Sequence, residues 1–245
     1  MFGFSFDRRT LRIIMIALLL MGGIGILTNT SKLMRLLLSA PGVLLAITFH
    51  EFAHGVVAYK LGDNTAKSQG RLTLNPLAHL DPIGCIMLLV AGFGWGKPVT
   101  VNPRNYTRKI SMEKGEAIVA LAGPVMNFIL AFILSIILML IGKFAGVFTL
   151  TQIGSIICSI IYSAVVINIG LGAFNLLPLP PLDGSIVIKP FLPRNAKYWF
   201  ENNEHIFYII FILLWITGLA GSIITPVIQV VYNVIINLAG LIVGV

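Results

Sequence analysis

The chain has 245 residues, of which 57% are hydrophobic and only 11% are charged. Soluble domains carry about 25% charged residues, so this composition excludes an ordinary soluble enzyme and indicates an all-α, polytopic membrane protein. The net charge of +8 is interpreted as membrane topology and not as a nucleic-acid-binding surface, because the basic residues cluster in particular loops.

Six transmembrane helices are predicted within a single domain that covers residues 1–245. A span needs about 20 mostly apolar residues. The first apolar run follows Arg8 and Arg9 but has no clear small-residue cleavage site, so we interpret it as a retained span and not as a signal peptide. The last apolar run is too long for one crossing, and Gly221 and Pro226 are expected to divide it. The predicted spans are 11–28, 36–60, 116–142, 153–177, 205–221 and 225–244.

Residues 61–115 differ from the spans and predict a small membrane-associated β or re-entrant region. Segments 70–76 and 97–103 combine alternating residues with turn residues, which is typical of short strands. Segment 83–95 lies between them and is apolar, short and rich in glycine. Such a length favours a re-entrant segment over a complete crossing.

The basic residues test this topology. With six spans, the N-terminus, the 61–115 region and the loop 178–204 lie on one side and carry most of the lysines and arginines, whereas the opposite side carries Lys32, Arg35 and Lys143. By the positive-inside rule the basic side is cytoplasmic. Both termini are then expected in the cytoplasm.

Residues His50, Glu51 and His54 form a His-Glu-x-x-His pattern inside the second predicted span. Residues i and i+4 share one face of a helix, so the two imidazoles can bind one metal ion with Glu51 beside them as a candidate general base. Ionisable residues at membrane depth are costly and are functional-site candidates. The alternative is a helix with two buried histidines that are hydrogen-bonded to their neighbours.

A catalytic zinc site usually needs a third protein ligand, and Asp183 is the candidate. The other acidic residues, such as Asp63 and Asp81, lie in loops or at helix starts, where carboxylates are ordinarily solvated or cap helices. Asp183 follows a proline-rich segment that cannot continue the fourth span as a regular helix. The alternative is that Asp183 is only a turn residue. His79 is expected to be a loop or interfacial histidine, or else to line an access path.

Three motifs together resemble the site-2 protease family of intramembrane zinc metalloproteases. The first is His50–His54, the second is the Asn-x-x-Pro-x(4)-Asp-Gly pattern, and the third is Gly-Pro-x-x-Asn at 123–127. The second pattern is formed by Asn175, Pro178, Asp183 and Gly184. The chain has no room for the PDZ or CBS domains of many members, so it resembles the compact prokaryotic type.

The resemblance implies one Zn²⁺ per chain, bound by His50, His54 and Asp183, with Glu51 deprotonating the metal-bound water. Asn175 would bind the oxyanion or hold Asp183, and it could instead only end a helix. Asn127 and Asn168 are expected to bond helices together more than to do chemistry.

The expected substrate is a transmembrane-helix peptide or protein in the lipid bilayer of a prokaryotic cell, cut nearer the cytoplasmic side. No nucleic-acid partner is expected. The alternative function is a membrane metal transporter or channel that uses the same His and Asp cluster. A CaaX-processing type of membrane hydrolase would need a downstream Glu ligand, and no suitable one is present.

Overall fold

The structure is a computed structural model that describes residues 29–85, 96–107 and 109–245. The predicted span 11–28 and most of the predicted re-entrant segment 83–95 lie outside these residues. The α-helices are α1 (Thr30–Lys60), α2 (Thr65–Ser68), α3 (Met112–Phe144), α4 (Gly146–Thr149), α5 (Gln152–Asn175), α6 (Asp183–Ile188), α7 (Arg194–Asn202), α8 (Glu204–Ile216) and α9 (Leu219–Val243). Short 3₁₀ turns occupy Pro76–Ala78, Pro103–Asn105 and Lys189–Phe191.

Four helices of the described part, α1, α3, α5 and α9, are long and apolar enough to cross a membrane. They correspond to the spans predicted at 36–60, 116–142, 153–177 and 225–244. Helix α8 has only 13 residues, or about 20 Å at 1.5 Å per residue, which is less than a hydrocarbon core of about 30 Å. The coarse architecture is therefore helical with four candidate spans.

The long helices begin at polar caps that lie before the apolar residues. The Asn29 side chain accepts a hydrogen bond from the Lys32 amide, and the Ser111 hydroxyl accepts one from the Lys114 amide. These caps satisfy amides that the first helical turn leaves unpaired. Helices α1 and α3 consequently start at residues 30 and 112, which is earlier than the apolar runs indicated.

The break in the C-terminal apolar run was predicted at the wrong residues. Helix α8 ends at Ile216, and α9 begins at Leu219 after Gly218, whose φ of +74° suits a residue without a side chain. Gly221 and Pro226 both lie within α9. Proline is tolerated in apolar helices when neighbouring groups satisfy the freed carbonyl, so Pro226 does not end the helix.

The strands predicted at 70–76 and 97–103 are not formed. In the described part of 61–115, antiparallel pairing is limited to one isolated bridge between Leu80 and Gly96. Asn75 and Asn102 each cap a following 3₁₀ turn that begins with proline, and this turn ends the extended backbone. Beyond this bridge, the Lys97 amide donates to the His79 carbonyl and the Val99 amide donates to Glu51 of α1.

The centre of the molecule is a close packing of α1, α3 and α5, with α9 against α3 and α5. A Cβ atom on Gly42 of α1 would lie 2.7 Å from the Cα atom of Ala164 in α5, so glycine is needed for this approach. Ala131, Val165, Ile169 and Ile235 form a buried cluster between α3, α5 and α9. This packing fixes the helices that carry the candidate site.

Candidate metal centre

Helix α1 carries His50 and His54 one turn apart on a face that packs against α3. Both are buried, at 6% and 8% exposure, and their rings are nearly perpendicular with centroids 4.6 Å apart. The i, i+4 spacing of an α-helix places them there, as the sequence predicted.

The Nδ1 atom of each histidine is hydrogen-bonded to a residue of α3. His50 Nδ1 lies 2.7 Å from Asn127 Oδ1, and His54 Nδ1 lies 2.7 Å from the carbonyl oxygen of Val119. A carbonyl oxygen only accepts, so His54 Nδ1 carries the hydrogen. Such partners are typical of metal-binding histidines because they orient the ring and set the tautomer.

The orientation of Asn127 is fixed by its own hydrogen bonds. Its Nδ2 atom donates to the Ala46 carbonyl at 3.0 Å and to Asn168 Oδ1 at 2.9 Å, so Oδ1 is left to accept from His50. Asn168 donates in turn to the Ala164 carbonyl at 2.8 Å. Both asparagines are fully buried. Asn127 therefore bonds helices together, as expected, and also orients His50.

Asp183 lies opposite the two histidines. Its Oδ2 atom is 3.1 Å from His50 Nε2 and 3.3 Å from His54 Nε2, and the three candidate ligand atoms all lie within 4.8 Å of one another. Asp183 is the first residue of α6, which follows the proline-rich end of α5. The interpretation as a plain turn residue does not account for this position.

The donor set fits a zinc ion. With a hydrogen on each Nδ1, both Nε2 atoms present lone pairs to a carboxylate oxygen, and Asp183 Oδ2 is buried without a hydrogen bond among the described residues. Three buried acceptors that face one another need a cation or a proton between them. Ligand atoms about 2.0–2.1 Å from a tetrahedral zinc lie about 3.3–3.4 Å apart. The distances from Asp183 Oδ2 to the two Nε2 atoms, 3.1 and 3.3 Å, are close to this value.

Two glycines allow this convergence. A Cβ atom on Gly123 would lie 2.6 Å from Cε1 of both His50 and His54, so α3 can approach the pair only without a side chain there. A Cβ atom on Gly184 would overlap the carbonyl groups of Leu176 and Leu177. Gly184 therefore lets α6 fold back onto the end of α5, which places Asp183.

Two other residues of the predicted pattern lie apart from the ligand atoms. Asn175 donates its side-chain amide to the Leu171 carbonyl of its own helix at 3.0 Å, and no hydrogen bond joins it to Asp183 in the described part of the chain. Pro178 is exposed on the segment between α5 and α6. A role of Asn175 at the oxyanion stays a prediction.

Glu51 is partly buried beside the ligand cluster and has a partner that sequence reasoning missed. Its Oε2 atom accepts a hydrogen bond of 2.8 Å from the backbone amide of Val99. A backbone donor 48 residues away leaves no mark in residue types, so no sequence signal could have found it.

The structure corrects the expectation of a solvated Asp63 and an interfacial His79, whereas the capping role also open to Asp63 is present in its hydrogen bond from the Thr65 amide at the start of α2. Both are fully buried. Asp63 accepts hydrogen bonds from Thr65, Asn102 and Asn105. His79 Nε2 lies 2.8 Å from the Thr73 carbonyl oxygen, and no contact connects His79 to the ligand cluster within the residues described.

The fold and site together define a helical membrane protein with the constellation of a metallopeptidase. The model of Peptidase family M50 matches residues 39–218, which include both histidines and Asp183. The chain therefore belongs to Peptidase family M50, the site-2 protease family, and is an integral membrane hydrolase that acts on peptide bonds.

Three relatives illustrate the similarity. The Bacillus subtilis protein named "Putative zinc metalloprotease YwhC" is 40% identical over 76% of this chain and 84% of its own length. Rip2 of Mycolicibacterium smegmatis, with the same description, is 30% identical over 71% of this chain and 64% of its own. MJ0611 of Methanocaldococcus jannaschii, again so described, is 34% identical over 59% of this chain and 66% of its own. No solved structure matches the chain.

Proposed function

We propose that this chain is an intramembrane zinc metalloendopeptidase that hydrolyses a peptide bond in or near a substrate transmembrane helix. The observation that carries the proposal is the convergence of His50 Nε2, His54 Nε2 and Asp183 Oδ2 beside Glu51, inside a bundle of membrane-length helices. Family membership and the names of the zinc metalloprotease relatives support the same chemistry.

In this proposal His50, His54 and Asp183 bind one zinc ion per chain. Bound zinc would supply Lewis-acid chemistry, which lowers the pKa of water towards neutrality and polarises the scissile carbonyl. Glu51 takes a proton from the attacking water through Oε1, because Oε2 is engaged by the Val99 amide. The carboxylic acid then returns this proton to the leaving amine.

The ligand residues also have supports. Asn127 and the Val119 carbonyl hold the two imidazoles in the tautomer that leaves Nε2 free for the metal. Gly184 seats Asp183 against the end of α5. Asn175, the last residue of α5, is proposed to leave the Leu171 carbonyl and to bind the substrate oxyanion or the Asp183 carboxylate.

The finer topology is part of the proposal. Residues 1–245 form one transmembrane domain with six spans, a membrane-associated region at 61–115 and both termini in the cytoplasm. The fifth span is α8, whose short length is accommodated by a locally thinner bilayer. The basic-residue asymmetry supports this arrangement, in which the site lies nearer the cytoplasmic side. Reporter fusions after residue 110 and after Val245 are expected to report a cytoplasmic location, and an external location for either would overturn it.

The substrate helix must partly unwind before it can be cut, because its amides are occupied by helical hydrogen bonds. The proline-rich segment 176–182 directly precedes Asp183, and Val99 of residues 97–101 contacts Glu51, so both segments are suited to hold an extended peptide. The backbone groups of Thr100 and Val101 have no hydrogen-bond partner among the described residues and could pair with it. The substrate is accordingly a single-span peptide whose helix unwinds easily.

Glu51→Gln is the decisive test, since it preserves shape and removes the base. The variant is expected to retain zinc while cleavage of single-span peptides falls by about 10²–10⁴-fold. His50→Ala, His54→Ala and Asp183→Ala are expected to lose zinc as measured by elemental analysis.

Two results would contradict the proposal. Undiminished cleavage by Glu51→Gln would refute the assigned base. Zinc flux through liposomes without proteolysis by the wild type would instead support a transporter, which gives Glu51 no specific role.

A further inference from the structure

The segment between the end of α1 and the start of α3 holds the general base. Residues 97–101 of this segment, 96–107, have no regular secondary structure, and Val99 lies against α1. The Val99 amide donates to Glu51 Oε2 at 2.8 Å, and the Val99 side chain is buried near Gly55, one turn further along α1. One carboxylate oxygen of Glu51 is thereby fixed by the backbone.

Asp63 holds the same segment three residues further on. Its Oδ2 atom accepts from the Asn102 amide at 2.6 Å, and its Oδ1 atom accepts from Asn105 Nδ2 at 2.8 Å and from the Thr65 amide at 3.0 Å. The Thr107 amide adds a bond of 2.7 Å to the Leu61 carbonyl. The end of α1 is therefore tied to the segment that contacts Glu51.

A cap of α2 alone would not explain this arrangement. The bonds to Thr65 are local, whereas those to Asn102 and Asn105 reach 39 and 42 residues along the chain. Asp63 is fully buried, and a buried carboxylate is costly unless it is hydrogen-bonded throughout. Burial raises the pKa of Asp63, but the hydrogen bonds outweigh it and hold the pKa below its usual value, which favours the charged acceptor.

We propose that Asp63 is a positioning residue for peptide hydrolysis, which holds segment 96–107 through Asn102 so that the Val99 amide fixes the carboxylate of Glu51. The inference rests on the proposed function. It adds a residue 12 positions from Glu51 that touches neither substrate nor metal and acts through the backbone of another segment.

Asp63→Asn tests this selectively. Three donors bind Asp63 Oδ1, so the oxygen of the new asparagine side chain is expected at that position. Its NH₂ group then replaces Oδ2 and faces the Asn102 amide, so that two donors meet. The bond to Asn102 is lost while the bonds to Thr65 and Asn105 can persist. Asp81→Asn is the matched control, because Asp81 caps the Gly84 amide at 2.8 Å and has no bond to segment 96–107 among the described residues.

The first measurement is hydrogen exchange of the Val99 and Asn102 amides in the purified full chain, and it does not depend on activity. In Asp63→Asn both amides are expected to exchange at least about 10-fold faster, and in Asp81→Asn neither should change. Glu51→Ala should accelerate Val99 and leave Asn102 protected. Unchanged exchange of Val99 in Asp63→Asn would overturn the inference.

The second measurement is the kinetics of the single-span peptide that the wild type cleaves best, with zinc content determined alongside. Asp63→Asn is expected to keep its zinc and to change KM by less than about twofold, while kcat falls by about 10- to 100-fold. A merely structural residue would lower the amount of folded, zinc-loaded enzyme and not kcat per zinc. Loss of zinc, or an unchanged kcat, would contradict positioning.

Amide-to-ester replacement locates the effect. An ester at Val99 removes the donor to Glu51 and should lower kcat as Asp63→Asn does, whereas an ester at Thr100 is the control, because that amide has no hydrogen-bond partner among the described residues. Combining Asp63→Asn with the Val99 ester should cost no more than the ester alone. Additive losses would show that Asp63 acts by another route.

Two contingencies keep the test decisive. If Asp63→Asn does not fold, an ester at Asn102 removes the same hydrogen bond from the other side and is expected to give the same exchange and kcat changes. If the wild type cleaves none of the peptides, the proposed function fails, while exchange at Val99 still decides whether Asp63 holds the segment against Glu51.

Discussion

Gly123→Ala is expected to damage the metal centre through one added methyl group. The new Cβ atom would lie 2.6 Å from Cε1 of both His50 and His54, about 0.8 Å inside the 3.4 Å at which ordinary van der Waals contact begins. Either the rings rotate or α3 moves away, and α3 also carries the Asn127 and Val119 acceptors of the two histidines. Metal sites tolerate displacements of only about 0.5 Å, so zinc affinity should fall by at least about 10- to 100-fold.

Gly142→Ala in the same helix is the matched control. Gly142 is exposed, and a Cβ atom there would meet nothing within 4 Å. The change from glycine to alanine in a helix should stabilise the protein by about 0.5–1 kcal/mol and leave zinc affinity unaltered. Competition with a chromogenic chelator measures the zinc Kd, and peptide cleavage is measured in the same samples. Wild-type zinc affinity and cleavage in Gly123→Ala would refute the steric argument.

Two further outcomes follow from buried polar groups. Asn127→Ala leaves the His50 Nδ1 hydrogen, the Ala46 carbonyl and Asn168 without their partner. Zinc affinity should therefore fall by about 10- to 100-fold in chelator competition, and the midpoint of thermal unfolding should drop. Unchanged values for both would contradict the role given to Asn127. The lowered pKa of Asp63 stabilises the fold above the unfolded-state pKa of about 3.9, and this contribution is lost as the pH falls through the folded-state pKa. The unfolding midpoints of the wild type and Asp63→Asn should therefore converge as the pH is lowered from 7 to acid values. A difference in midpoint that does not depend on pH would contradict the argument.

The membrane helices were predictable because apolar length alone identifies them, but their limits were not. Caps such as Asn29 and Ser111 extend α1 and α3 beyond their apolar residues. In the C-terminal run, Gly218 ends α8 and Pro226 continues α9, which reverses the usual ranking of proline as the stronger breaker. Tertiary surroundings decide such cases, and they are not visible in local sequence.

The candidate ligands were predictable because imidazole and carboxylate groups at membrane depth have few other uses. Val99 was not, since its contribution is a backbone amide that any residue except proline could supply. The burial of Asp63 and His79 was missed because polar loop residues are ordinarily expected at the surface, whereas here the loops fold against α1. The strands were mispredicted because alternation without a partner strand does not form a sheet.

The hydrogen bond between Asn127 and Asn168 also fixes how the helices are rotated about their own axes. In a bilayer, apolar side chains pack against lipid and protein alike, so they discriminate poorly among turns of a helix about its own axis. The Asn127–Asn168 contact and the Ala46 carbonyl are met together only when α1, α3 and α5 face one another at a single angle. That same angle brings Asn127 to His50. Correct assembly of α1, α3 and α5 consequently also orients His50 for the metal, before α6 adds Asp183.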